Sequence, residues 1–217
     1  MADFLGGGNV RNNSLNFSIF FLAILACKHA VADSDVYRID NTHSFANWTI
    51  RHVASKTSGT FSDISGKLML DSNNLTNSSI TAKINVLSIN SSHAKRDENI
   101  KKEAYLDADK FNVMTFVSTK VTTDASSVDK NVEGILTGKF TMHGLTKEIS
   151  FPFNVLGFGY DPWGGYRTGI EAHTTIKASD YGFNWAKKVG APIGDDIEVT
   201  LLIEGVKMPR ENMISNF

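Results

Sequence analysis

From Val36 onward apolar side chains recur at every second position, over segments too long and too regular to be loops. Ala46, Trp48 and Ile50 alternate with Asn47, Thr49 and Arg51. Ile80, Ala82, Ile84 and Val86 alternate with Thr81, Lys83, Asn85 and Leu87. Ile149, Phe151, Phe153 and Val155 share one face, and Ile170, Ala172, Thr174 and Ile176 another. Ile197, Val199, Leu201 and Ile203 repeat the pattern near the C-terminus. Because successive strand side chains point to opposite faces, each segment is a strand with one buried and one wet face.

The pattern predicts a short strand over residues 36–40 and long ones over 45–53, 59–70, 80–87, 113–123, 132–142, 147–160, 170–177 and 197–204. Residues 54–58 and 179–195 are expected to be loops. Gly66 is expected to bend its strand, where the apolar set passes from Phe61 and Ile64 to Leu68 and Leu70. Pro152 cannot donate to a ladder, so it belongs at an edge or irregularity. Turn signals stand at 71–74, 143–146 and 161–165.

One stretch breaks the alternation. Residues 92–116 open with a Ser91 or Ser92 cap and run through Ala94, Lys95, Arg96, Glu98, Lys101, Lys102, Glu103 and Ala104, predicting a helix of roughly ten to fourteen residues. Its apolar stripe is narrow, with Ile100 and Ala104 four apart, so it docks on a sheet as a lid or as a plain crossover. The fold class is therefore all-β: about eight long antiparallel strands with one main α-helix, closed into a β-barrel or packed as a sandwich. Eight strands enclose just enough room for one small or elongated ligand. A β-sandwich satisfies the same alternation.

Composition narrows the function. The chain has 217 residues, 41% of them hydrophobic, and a formal charge of −1 without a Lys/Arg run, which argues against a nucleic-acid partner. Phe17 to Cys27 forms an apolar run too short for a stable membrane span but suited to a secretory signal, and Ala30-Val31-Ala32 offers a cleavage site. The expected organisation is a signal peptide over 1–32, a β domain over 33–207 and a tail over 208–217, with periplasmic localisation. Ile24-Leu25-Ala26-Cys27 loosely resembles a lipoprotein box, although bulky Leu25 stands where a small residue is expected. Cys27 is the one cysteine, so no intramolecular disulfide forms.

None of the six histidines forms HxH or HExxH, and no nucleophile elbow, P-loop or dinucleotide fingerprint occurs. No catalytic or metal site is expected. Arg96-Asp97 on the first helical turn reads as structure, through the helix dipole and sheet carbonyls, or as function, with Lys95 and His93 clamping an anionic head.

Several stretches in combination resemble the YceI-like family of secreted bacterial lipid-binding proteins. They are Asp40-Asn41-Thr42-His43-Ser44 with its strand ending at His52, Gly59-Thr60-Phe61, Arg96-Asp97, Lys110-Phe111 and Thr115-Phe116. Gly134-Ile135-Leu136-Thr137, His143-Gly144-Leu145-Thr146-Lys147, Asp161-Pro162-Trp163-Gly164-Gly165 and Ser179-Asp180-Tyr181-Gly182 follow. The resemblance runs from about Tyr37 to Lys207. It departs from the family at Asn99, where a His-like residue is usual two places before a basic one, here Lys101, and at Asn112 in place of a common Pro. The resemblance implies an elongated eight-stranded antiparallel, lipocalin-like β-barrel with one main α-helix, binding a polyisoprenoid, such as a quinone or polyprenyl species, or a similar long-chain amphiphile in the periplasm, and no other cofactor.

From alternation, the expected ligand walls are Trp48, Ile50, Phe61, Phe116, Phe140, Phe151 and Phe153, with Trp163 added from its turn. His52, His93 and Arg96 are the head-group candidates. The expected partner is a long-chain amphiphilic lipid, and a homodimer is compatible with the sequence. The competing reading is an adaptor protein of the cell envelope without bound lipid.

Overall fold

A computed structural model describes residues 34–71, 73–125, 131–188 and 190–209. The expected signal peptide, Cys27 and most of the expected tail lie outside these residues. The strands are β1 (Ser34–Ile39), β2 (Phe45–His52), β3 (Ser55–Phe61), β4 (Ile64–Asp71), β5 (Ser79–Asn85) and β6 (Ile89–Asn90). After the helix α1 (Ala94–Lys101) come β7 (Val113–Thr122), β8 (Val132–Met142), β9 (Leu145–Tyr160), β10 (Tyr166–Lys177) and β11 (Ile193–Lys207). Every pairing is antiparallel, and the order β1-β4-β5-β7-β8-β9-β10-β11 returns to β1, closing an eight-stranded barrel. Closure removes the edges an open sheet would expose, and the sandwich reading falls with it.

One wall strand, β11, serves two neighbours along the same edge. β11 pairs with β1 near its C-terminal end and with β2 over residues 197–202. β2 then pairs with β3, and β3 with β6. The expected strand over 59–70 is in fact two strands, and the apolar set changes parity at Ser62-Asp63 rather than at Gly66. The break is fastened there: Ile64 N–H donates to Asn41 Oδ1 at 2.7 Å, and Asn85 N–H to the Asp63 carbonyl at 2.9 Å. Gly66 remains on the inward face. Its φ of +151° and the Thr81 carbonyl, 2.0 Å from where a Cβ would stand, leave no room for a side chain.

Residues 54–58 are not a loop. Val53-Ala54 forms a two-residue hairpin turn, with His52 opposite Ser55, and β3 begins at once. His143-Gly144 makes a second such turn with φ of +52° and +74°, the double positive φ that matches strand twist. Pro152 meets its expectation, since it lies where β9 is paired with β8, over residues 145–155, but its pairing with β10 has ended, at Phe153.

The helix is shorter than expected. It spans eight residues, its N-cap is His93 rather than Ser91 or Ser92, and it ends at Lys101, which leaves Ala104 exposed in the following turn. Ser91 and Asp97 are occupied with each other: the Ser91 N–H and hydroxyl both donate to Asp97 Oδ1, at 2.9 and 2.5 Å. Among the described residues no helix is long and apolar enough to cross a membrane.

Candidate functional site

Where β9 turns into β10, the interior is filled. Val155, Leu75 and Thr168 are completely or nearly buried, and the Tyr37 and Phe158 rings pack at 6.2 Å. Burial, then the charge of Asp35, pushes the Tyr37 hydroxyl pKa upward. Toward the other end the inward-facing rows separate around a cavity of ≈ 500 Å³. Trp48, Ile50, Phe61, Phe116, Phe140, Phe151 and Phe153 all line it, together with the alternate residues of β5, β10 and β11. The surface is almost wholly hydrocarbon and aromatic, interrupted by Asn47, His52, Thr57, Arg96, Asn99 and Thr174.

Two expected site residues stand elsewhere. Trp163 is 86% exposed on the β9–β10 turn, whose backbone folds around Asp161 rather than into the barrel. His93 serves the helix, its Nδ1 accepting from Arg96 N–H at 3.2 Å. His52 and Arg96 do reach the cavity.

The mouth is covered by two segments that the alternation did not reveal. α1 contributes Arg96, Asn99 and Ile100, and the chain after it Tyr105 and Leu106, so the helix acts as a lid. From the expected loop over 179–195, Phe183 and Trp185 reach the cavity. An aromatic chain links the two: Phe111 packs edge-on against His143 at 4.6 Å, and His143 stacks on Phe183 at 4.7 Å. Phe183 lies 5.6 Å from Trp185, which meets Tyr105 at 6.3 Å. His143 Nδ1 is 3.0 Å from the Tyr181 carbonyl, an acceptor only, so Nδ1 carries the proton and donates. Tyr181 is itself buried, and desolvation followed by the charge of Asp180 raises its hydroxyl pKa to about 12. The aromatic content of 183–185 was the available signal for this lid.

Beside the cavity lies a polar cleft of ≈ 610 Å³ between β2, β3 and the chain entering α1. Asn47, Trp48, Thr57 and Arg96 border both spaces. Arg96 Nε donates to Ser91 Oγ at 2.7 Å and Nη2 to the Ser91 carbonyl at 2.5 Å. Among the described residues no carboxylate lies within ion-pair distance of it.

A second charged cluster is structural. Asp40, His43 and Glu204 bring three ligand-type atoms within 4.8 Å of one another, an arrangement that could suit a cation. Arg167 already supplies the positive charge: its Nη1 donates to Asp40 at 2.6 Å and to Glu204, and its Nε to Asp161 at 2.6 Å. Burial opposes ionisation of Asp40, but the hydrogen bonds it accepts from Arg167, Thr42 and His43 prevail and hold its carboxyl well below the usual range. Asp161 is depressed chiefly by its hydrogen bond from Arg167 and then by that from Gly165 N–H.

Set against known proteins, this architecture has close counterparts. The YceI-like domain matches residues 37–205. This chain belongs to the YceI-like family. A UPF0312 protein of Shewanella sp. (strain ANA-3) is 36% identical over 187 residues, covering 85% of this chain and 93% of that protein. Protein YceI of Salmonella newport (strain SL254) is 32% identical over 201 residues, covering 91% and 99%. Among solved structures, Burkholderia cenocepacia BcnA superposes with a TM-score of 0.66 at 19% identity, covering 76% of this chain and 98% of BcnA. A polyisoprenoid binding domain from Saccharophagus degradans gives a TM-score of 0.60 at 16% identity, covering 79% and 98%. At such identities the structural likeness speaks to the YceI-like fold alone.

Proposed function

We propose that this YceI-like protein is an exported, periplasmic carrier that holds one long-chain lipid, a polyisoprenoid such as a quinone or polyprenyl species, inside the barrel. The observation that carries this reading is the apolar cavity of ≈ 500 Å³ between the filled end and the helical lid. That volume falls within the range of small-molecule sites, about 300–1,000 Å³, and its walls offer dispersion contact along most of their length. Each buried CH₂ gains about 0.8 kcal/mol, so a chain of a dozen carbons is retained without any directional contact. The Saccharophagus degradans neighbour, described as a polyisoprenoid binding domain, supports the isoprenoid class.

Binding rather than catalysis fits the chemistry of the site. The polar groups around the cavity are amides, hydroxyls, His52 and Arg96 set among hydrocarbon, an arrangement that orients a ligand. The lid rests on aromatic contacts at 4.6 to 6.3 Å, which can part and re-form without breaking the hydrogen-bonded barrel. Entry past α1 would therefore leave the closed wall intact.

Organic extraction of native protein purified from a bacterial periplasm, followed by mass spectrometry, should return a near-stoichiometric long-chain species. A protein that yields none, and whose melting temperature no added lipid raises, would be the adaptor of the competing reading.

A further inference from the structure

The Trp48 indole N–H is buried and finds no acceptor among the described residues. A buried donor left unpaired is costly, and native structures rarely keep one without a reason. Trp48 stands on β2 directly opposite Gly59 of β3, and its ring lies over that glycine, where a Cβ would come within 2.5 Å of Cζ2 and 2.7 Å of the Asn90 carbonyl. The missing side chain thus lets the indole occupy the wall between the apolar cavity and the polar cleft, both of which it borders. On the cleft side are Lys56, Ser58, Thr60 and Asn90, groups that favour an oxygen-rich head and give nothing to a hydrocarbon.

Resting on the carrier reading, we infer that the ligand is an amphiphile whose head leaves the barrel sideways at Trp48, where an oxygen of the head accepts from the indole N–H and the rest occupies the β2–β3 cleft. The ligand class is a long apolar chain ending in a head rich in hydrogen-bond acceptors. A pure hydrocarbon would fill the cavity and leave both the indole and the cleft unused. Arg96, which borders both spaces, would then meet the head from the α1 side.

The three tryptophans, 48, 163 and 185, allow a test with internal controls. Trp185, whose indole N–H is likewise buried without an acceptor among the described residues, borders the cavity but not the cleft and so reports any filling of the cavity, and Trp163 is exposed on a distant turn. Delipidated ¹⁵N-labelled protein is titrated with monopalmitin and, separately, with hexadecane, each delivered from ethanol, with indole resonances assigned through Trp→Phe variants. Monopalmitin should move the Trp48 indole N–H downfield, hexadecane should leave it nearly in place, and Trp163 should respond to neither. Trp48→Phe should weaken monopalmitin about two- to tenfold, the range of one neutral hydrogen bond, without weakening hexadecane. Ser58→Tyr fills the cleft from an exposed strand position outside the cavity, and should weaken monopalmitin severalfold while sparing hexadecane. If Trp48 moves alike with both probes, or Ser58→Tyr leaves monopalmitin unchanged, the side exit is wrong and the carrier reading stands. Failure of both probes to bind would overturn both.

Discussion

Gly59 lies opposite Trp48 in the β2–β3 pair, and the Trp48 ring occupies the volume a side chain at 59 would need. A Cβ there meets ring carbon at 2.5 Å and backbone oxygen at 2.7 Å, so the oxygen cannot simply turn aside. Gly59→Ala should cost about 1–3 kcal/mol by overpacking. Gly159→Ala, where a Cβ has nothing within 4 Å, should change stability by less than about 1 kcal/mol. Urea denaturation of the two variants beside the parent checks the contrast, and equal stabilities would show that the indole moves freely.

Arg167 gathers Asp40, Asp161 and Glu204 around one guanidinium, and replacing it should leave three carboxylates converging without a counter-charge. Arg167→Gln should lower the melting temperature at pH 7 by roughly 3–8 °C. The pH dependence has a definite sign. Folded-state pKa values depressed below the ordinary aspartate value contribute stability that is fully present above about pH 3.9 and is lost as pH falls through the depressed values. The gap between parent and variant should therefore be largest near neutrality and narrow below about pH 4, as thermal melts across pH 3 to 7 would reveal. A constant gap would assign the effect to packing.

The lid residue Ile100 lines the cavity, while Lys102, two residues on at the C-cap, is exposed and donates to Asn99 Oδ1 at 2.9 Å. Ile100→Asp should cost about 2 kcal/mol or more by setting a carboxylate against hydrocarbon, whereas Lys102→Asp should stay within about 1 kcal/mol of the parent. Chemical denaturation resolves the two. Equal costs would mean that α1 is held by its caps and charges rather than by its contact with the barrel interior.

How much of this could be read from sequence follows from where period two applies. In β10 and β11 every predicted inward residue, Ile170 to Ile176 and Ile197 to Ile203, lines the cavity, because a strand's geometry assigns faces without reference to its neighbours. Alternation is silent on irregular chain. It missed Phe183 and Trp185, which reach the cavity from the second of two short 3₁₀ turns and the residue before it, and Trp163, expected on the wall from its turn, stands outside because that turn is organised by Asp161. It also joined β3 to β4, since the parity change at Ser62-Asp63 is enforced by the distant Asn41 and Asn85. The stretches that carry the family resemblance are mostly braces: Asp40 and Asp161 hold Arg167, Asn41 fastens Ile64, and Ser44 bonds to both backbone groups of Glu204. Such motifs identify the barrel while leaving its contents unspecified.

Phe153 is 6% exposed and lines the cavity near the point where β9 parts from β10. Phe153→Lys would bring an ammonium against the hydrocarbon wall, where an unpaired charge is strongly disfavoured, so the protein should purify without lipid. Phe153→Leu keeps the wall apolar and should retain lipid at a stability cost of about 1–2 kcal/mol. Mass spectrometry of extracts from both variants, with circular dichroism to confirm folding, gives the comparison. A folded Phe153→Lys protein still carrying its full lipid would place the ligand elsewhere.

Arg96 does two things that substitution can separate. Its Nε and Nη2 hold Ser91, which in turn holds Asp97, so the fork fixes the entry to α1. Its charge also borders the cavity, with no carboxylate within ion-pair distance among the described residues, and is available to an anionic head. Lysine preserves the charge but not the planar fork. Arg96→Ala should therefore lower the melting temperature and weaken palmitate about tenfold relative to hexadecanol, a hydrogen bond to a charged group being worth about 1.5–3 kcal/mol. Arg96→Lys should lose much of the same stability yet recover most of the palmitate preference. Isothermal titration with the two lipids, alongside melts of both variants, tests the division. If both variants melt low and bind palmitate and hexadecanol in the parent's ratio, Arg96 is a brace for the lid and the head group is read by other residues.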